Sequence, residues 1–61
     1  MSDPFEATIE EQIACIEREI RMREHVYAKR VANGAMTQAQ SDREMRLIGA
    51  VLATLEGIKR P

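Results

Sequence analysis

The sequence predicts an all-α protein. Its expected form is an antiparallel helical hairpin of two helices that assembles into a homo-oligomeric helix bundle, most simply a dimeric four-helix bundle. Three observations carry this expectation. Two long stretches hold apolar residues at helical spacing. Between them, Val31 to Gln40 holds a helix stop and a helix start only a few residues apart. The second helix also presents an apolar arc of about 160°, wider than the ~100° stripe that one partner helix covers.

The first helix is expected over about residues 4–32. Asp3-Pro4-Phe5-Glu6 is one opening, with Asp as cap, Pro at the first helical position and Glu at the third. Thr8 with Glu11 is a second, one turn later. From there Ile9, Ile13, Ile16, Ile20, Tyr27 and Val31 fall in one narrow stripe, with the spacings of a coiled-coil seam. Arg23 and Glu24 stand where that seam would next place an apolar side chain. Cys15, Met22 and Val26 form a weaker apolar strip beside Glu19 on another face. Glu17–Arg21 and Glu19–Arg23 are favourably ordered i, i+4 pairs.

The turn is expected over about 33–37. Gly34 accepts the left-handed backbone of a helix C-terminal cap. Thr37 with Gln40 matches a capping box, so a new helix should open there.

The second helix is expected over about 38–59. Met45, Ile48, Leu52 and Leu55 form its seam, and Leu47, Val51 and Ile58 widen its apolar arc. Antiparallel pairing around the turn brings Ile20 to Ile48, Ile16 to Leu52 and Ile13 to Leu55. The longer first helix should overhang with its acidic first turns. Gly49, Ala53 and Gly57 recur every four residues on a further face. That strip is either a thin solvent face or a place where another backbone approaches closely.

Size argues for self-association. A chain of 61 residues buries little surface, and domains this small usually lean on disulfides, metals or a partner subunit. Cys15 is the single cysteine, so no internal disulfide forms. Cys15 and His25 are the only soft ligands and have no companions, so neither a metal nor another cofactor is expected. The oligomer interface is expected at Leu47, Val51 and Ile58 of the second helix with Cys15, Met22 and Val26 of the first.

Net charge is −1, which gives the whole molecule no long-range pull on nucleic acid or anionic membrane. The distribution is uneven. Residues 1–17 hold five acids and no base, whereas residues 18–46 hold seven bases against four acids. The turn end is basic and the open end acidic. The longest apolar run, Leu47 to Ala53, is far short of the ~20 residues that span a bilayer. With no leader pattern at the start and one unpaired cysteine, the cytoplasm of a host cell is the expected compartment.

An enzyme is not expected. Cys15 and His25 lie ten residues apart on one helix, about 15 Å along its axis, so they do not meet as a nucleophile and base. Glu10 and Glu11 lie on a helix surface with no cleft around them. The remaining cluster is Arg23, Tyr27 and Arg30 with Arg43 and Arg46, all near the turn. Arginine forks bind phosphate or carboxylate at two points, and a tyrosine ring stacks on a base. The cluster is read either as a ligand- or anion-binding site, duplicated about a symmetry axis, or as ordinary surface arginine with Tyr27 closing the core. Arg46 with Asp42, and Arg23 with Glu19, are the arginines with evident helix partners. Met22, Met36 and Met45 offer an adaptable surface, with Met45 better placed as core and Met36 under the turn.

The run Ile16 to Arg23, then Val26-Tyr27, Arg30-Val31-Ala32, Gly34, Met36-Thr37-Gln38-Ala39 and Glu44 to Leu55 resembles a family of short proteins encoded by temperate phages and prophages of proteobacteria. The resemblance covers about two thirds of the chain. Many relatives carry Pro where this chain has Ala28, so the kink expected there is missing. In architecture the chain is also similar to ROP-type helical hairpins, without their RNA-contact motif. The resemblance implies a phage accessory protein that binds and neutralises a host factor. Its partner would be a host defence protein or a small anionic nucleotide, besides a second copy of itself. The alternatives are a structural or assembly adaptor working only through bundle contacts, and a nucleic-acid-binding hairpin dimer.

Overall fold

A computed structural model describes residues 6–60. Two helices, α1 (Ile9–Ala32) and α2 (Gln38–Lys59), pack as a hairpin. The Asp3-Pro4-Phe5 opening and Pro61 lie outside the described residues.

α1 opens at Ile9, not near residue 4, and Glu6 to Thr8 are non-helical. The later of the two openings is the one used, and its hydrogen bonds explain why. Glu11 N–H donates to Thr8 Oγ1 at 3.1 Å, and Thr8 N–H donates to Glu11 Oε1 at 3.4 Å. Gln12 Nε2 donates to the Ala7 carbonyl at 3.0 Å and ties down the chain just ahead of the helix. Two of the free N–H groups of a helix start are thereby satisfied, and Glu10 and Glu11 add charge of the sign the dipole favours. The expected overhang is correspondingly reduced, since α1 has 24 residues and α2 has 22. α1 runs unbroken through Ala28, as a chain without proline there can.

The turn closes as its residues dictate. Gly34 holds φ 81°, a backbone region that side chains disfavour. Its N–H donates to the Val31 carbonyl at 3.2 Å, and Ala35 N–H donates to the Arg30 carbonyl at 2.9 Å. These are the two bonds of a Schellman cap. Asn33 Oδ1 also accepts from Ala35 N–H at 3.1 Å. Three residues later Thr37 begins α2. Gln40 N–H donates to Thr37 Oγ1 at 3.0 Å, and Thr37 N–H donates to Gln40 Oε1 at 2.9 Å.

Along the seam Ile9, Ile13, Ile16, Ile20, Tyr27 and Val31 are all half-buried on α1. They face Met45, Leu52 and Leu55, also half-buried, and Ile48, which is 6% exposed. Among the described residues Ile48 is the one buried apolar side chain. The hairpin is 13 Å across its thinnest direction, the thickness of a single helix layer. Two seams pressed together therefore bury one residue well and many by half.

Candidate functional site

The apolar residues outside the seam gather on one side of the hairpin. On α1, Cys15, Met22 and Val26 fall within about 40° of arc at 3.6 residues per turn, and on α2 Leu47, Val51 and Ile58 do the same. The two strips meet at a groove of about 590 Å³, walled by Cys15 and Ile16 from α1 and by Val51 and Leu55 from α2, with Glu11, Gln12 and Arg18 also on its α1 wall. They thus flank the same side of the seam. Met22 is 53% exposed, Leu47 56%, Val51 46% and Ile58 65%. Cys15 is exposed too, and Val26 is half-buried. Exposure of one such side chain is ordinary, but three on α2 and Met22 on α1, all on one side, leave an apolar strip uncovered.

The opposite side of the seam is different. Its groove is lined by Ile13, Glu17, Glu56, Lys59 and Arg60, four of them charged. The exposed apolar strips flank the first groove, and the second is mostly charged.

The five residues of the arginine cluster are distributed less tightly than their spacing in the chain suggests. Arg23 and Tyr27 are half-buried on the seam. Arg23 Nε donates to Glu19 Oε1 at 2.8 Å, the one ion pair among the described residues. That hydrogen bond raises the Arg23 pKa above its ordinary value against the opposing pull of partial burial; Tyr27, Glu19 and Glu44 add to the rise. The guanidinium therefore carries its charge at every physiological pH, and its fork is already occupied in part. Arg30, Arg43 and Arg46 are exposed and make no ion pair among the described residues. Neither groove is lined by any of the five.

Two expected helix pairs are not made. Asp42 Oδ1 accepts from Gln38 Nε2 at 2.9 Å, so the Arg46–Asp42 pair is replaced by an amide contact. Glu17 and Arg21, both exposed, also remain apart. An exposed pair of this kind gains little over two solvated charges, and side-chain entropy favours letting them go.

Compared with protein families, curated proteins and solved structures, the chain matches none.

Two residues at this site escape a reading of the pattern. Ser41 is only 8% exposed, the one buried polar residue among those described. Its signal is positional, because 41, 45, 48, 52 and 55 continue the seam spacing of α2 back to the first turn. The pairing that sets Ile20 by Ile48 also sets Ser41 across from Tyr27. Glu44 is the second, since its charge reaches Arg23 across the helix pair. The same pairing sets Met45 by Arg23 and so brings Glu44 near, but this follows only once the register is fixed.

Cys15 and His25 are both exposed, ten positions apart on α1. No three of the His, Cys, Asp and Glu side chains among the described residues gather into a metal-holding group. No described helix is long and apolar enough to cross a membrane.

Proposed function

We propose that this chain is a non-enzymatic binding protein that works as a self-associated helical hairpin. Its simplest assembly is a dimeric four-helix bundle, and its task is to engage and neutralise a host protein. One observation supports this above the others: the strip of Met22, Leu47, Val51 and Ile58 left uncovered along one side. A surface of that kind is stable in water when another protein covers it; in the bundle that protein is the second copy, and the host protein meets the assembled dimer rather than the strip itself. The resemblance to phage-encoded proteins supplies the setting, in which a host defence protein is the natural target. A protein target is favoured over a nucleotide because Arg23 is already engaged by Glu19 and neither groove is lined by the arginines of the turn cluster.

The test compares three forms expressed in a bacterial host at equal level: the unaltered chain, Leu47→Glu, and the double variant Arg23→Ala/Arg30→Ala. The reading expects partner capture and biological effect to disappear with Leu47→Glu and to survive in the arginine variant. Full activity of Leu47→Glu, with loss in the arginine variant, would reverse the ranking.

A second reading keeps one observation on its side. Arg30, Arg43 and Arg46 are exposed and unpaired among the described residues, as an anion site would require. It makes the chain a binder of a nucleotide or nucleic acid. Thermal shift with a panel of cyclic di- and trinucleotides tests the first case. Binding that falls steeply with added salt tests the second.

A further inference from the structure

We infer that the occupant of the apolar side is a second copy of this chain, laid end over end so that the two turns lie at opposite ends of the bundle. The inference rests on the self-association reading above and adds which face is used and in which direction.

The face is sufficient in size. It is about as long as α2, about 33 Å at 1.5 Å per residue, and two helices about 10 Å apart make it about 20 Å wide. That offers on the order of 650 Å² per copy, within reach of the ~600–1,000 Å² per partner that stable complexes bury. The side is also self-complementary in kind. Both helices contribute apolar side chains to it, so rotation about a two-fold axis sets strip against strip. The other side of the seam, with Glu17, Glu56, Lys59 and Arg60, has no comparable surface to cover.

Charge selects the direction. The open half of the hairpin carries Glu6, Glu10, Glu11, Glu17 and Glu56 against Lys59 and Arg60. The turn half carries seven bases against four acids. Two copies with turns together set basic end on basic end and acidic end on acidic end. Two copies with turns apart set each acidic end on a basic one. Like-charge apposition is penalised and opposite charges steer the encounter, so the second arrangement is selected. The Arg23–Glu19 pair then lies beside the interface, where an ion pair fixes register more than it adds affinity.

The experiment reads mass and direction together. Cys15→Ala removes the single native thiol, and Ala35→Cys, exposed in the turn, supplies one site for a spin label. Molar mass is measured first, then the label-to-label distance by pulsed electron resonance. The expected result is a two-chain mass with labels more than about 33 Å apart, because one helix length separates the turns. A two-chain mass with labels within about 20 Å overturns the direction while leaving self-association intact. A single-chain mass at all concentrations overturns both, and so does a mass of three or more chains for the dimer. Leu47→Glu and Ile58→Glu, at positions 56% and 65% exposed in the hairpin, test the face. Each is expected to keep its helical spectrum and to weaken dimerisation by about a hundredfold or more, since a bare carboxylate would enter the interface. Undiminished dimerisation in both variants overturns the choice of face.

Discussion

Ile48 and Leu47 are neighbours in the chain and opposites in the fold, and truncating each in turn separates the hairpin's own core from the surface between copies. Ile48 is 6% exposed and Leu47 is 56% exposed. Ile48→Ala removes three buried carbon groups, about 2.4 kcal/mol at ~0.8 kcal/mol each, and the cavity left behind brings the cost to about 2–4 kcal/mol. That is a large part of the stability of so small a chain, and the variant should lose most of its helix at room temperature. Leu47→Ala costs an isolated hairpin no more than about 0.5 kcal/mol. In a dimer that covers Leu47 the same change costs about 1–3 kcal/mol per copy, and only at concentrations where copies associate. The assay is urea unfolding followed by circular dichroism at 222 nm, repeated over a hundredfold range of protein concentration. The unaltered chain's midpoint is expected to rise with concentration, and the Leu47→Ala midpoint to fall further below it as concentration rises and copies associate. Equal midpoints for the unaltered chain and Leu47→Ala would refute the buried-interface reasoning. A harmless Ile48→Ala would refute the assigned core.

Further outcomes follow from local chemistry. Thr37→Ala deletes the cap of α2 and should lower stability by about 1 kcal/mol in the same urea titration. Gly34→Ala forces a side chain to φ 81° and should destabilise by about 1 kcal/mol, whereas Gly49→Ala should stabilise by about 0.5–1 kcal/mol because nothing lies within 4 Å of the added carbon. A destabilising Gly49→Ala would instead mean that another backbone sits against that face in the assembly. Ser41→Leu should lower the thermal midpoint and cost about 1–3 kcal/mol by overfilling the helix contact, while Ser41→Ala should change it little. Arg23→Leu completes the apolar seam and should raise the midpoint; a lowered midpoint would assign Arg23 a structural partner beyond Glu19.

Much of this architecture is legible in the sequence because its signals are local. Asn33-Gly34 and Thr37 with Gln40 act within a few residues, and the Schellman cap and capping box form as their chemistry requires. The spacing of the isoleucines on α1 places each of them on the seam for the same reason. The start of α1 was less legible, since two good openings lie a turn apart and local signals rank them equally. Thr8 also gains the Gln12 side-chain bond to Ala7, which a motif does not contain. The candidate site was legible in its apolar half and less so in its charged half. The arc of Cys15, Met22 and Val26 and that of Leu47, Val51 and Ile58 are displaced from their seams in the same rotational sense, so they share a side once the hairpin closes. Arginines near the turn share only a height, and whether they converge depends on helix rotation and on which carboxylate each one meets. Glu19 meets Arg23, Asp42 turns to Gln38, and Glu44 approaches from the other helix.

Sedimentation equilibrium across micromolar concentrations tests the account where it is most exposed. It predicts a species of two 6.9 kDa chains that dissociates and loses helix together on dilution. A single 6.9 kDa chain that stays fully helical at every concentration would contradict it.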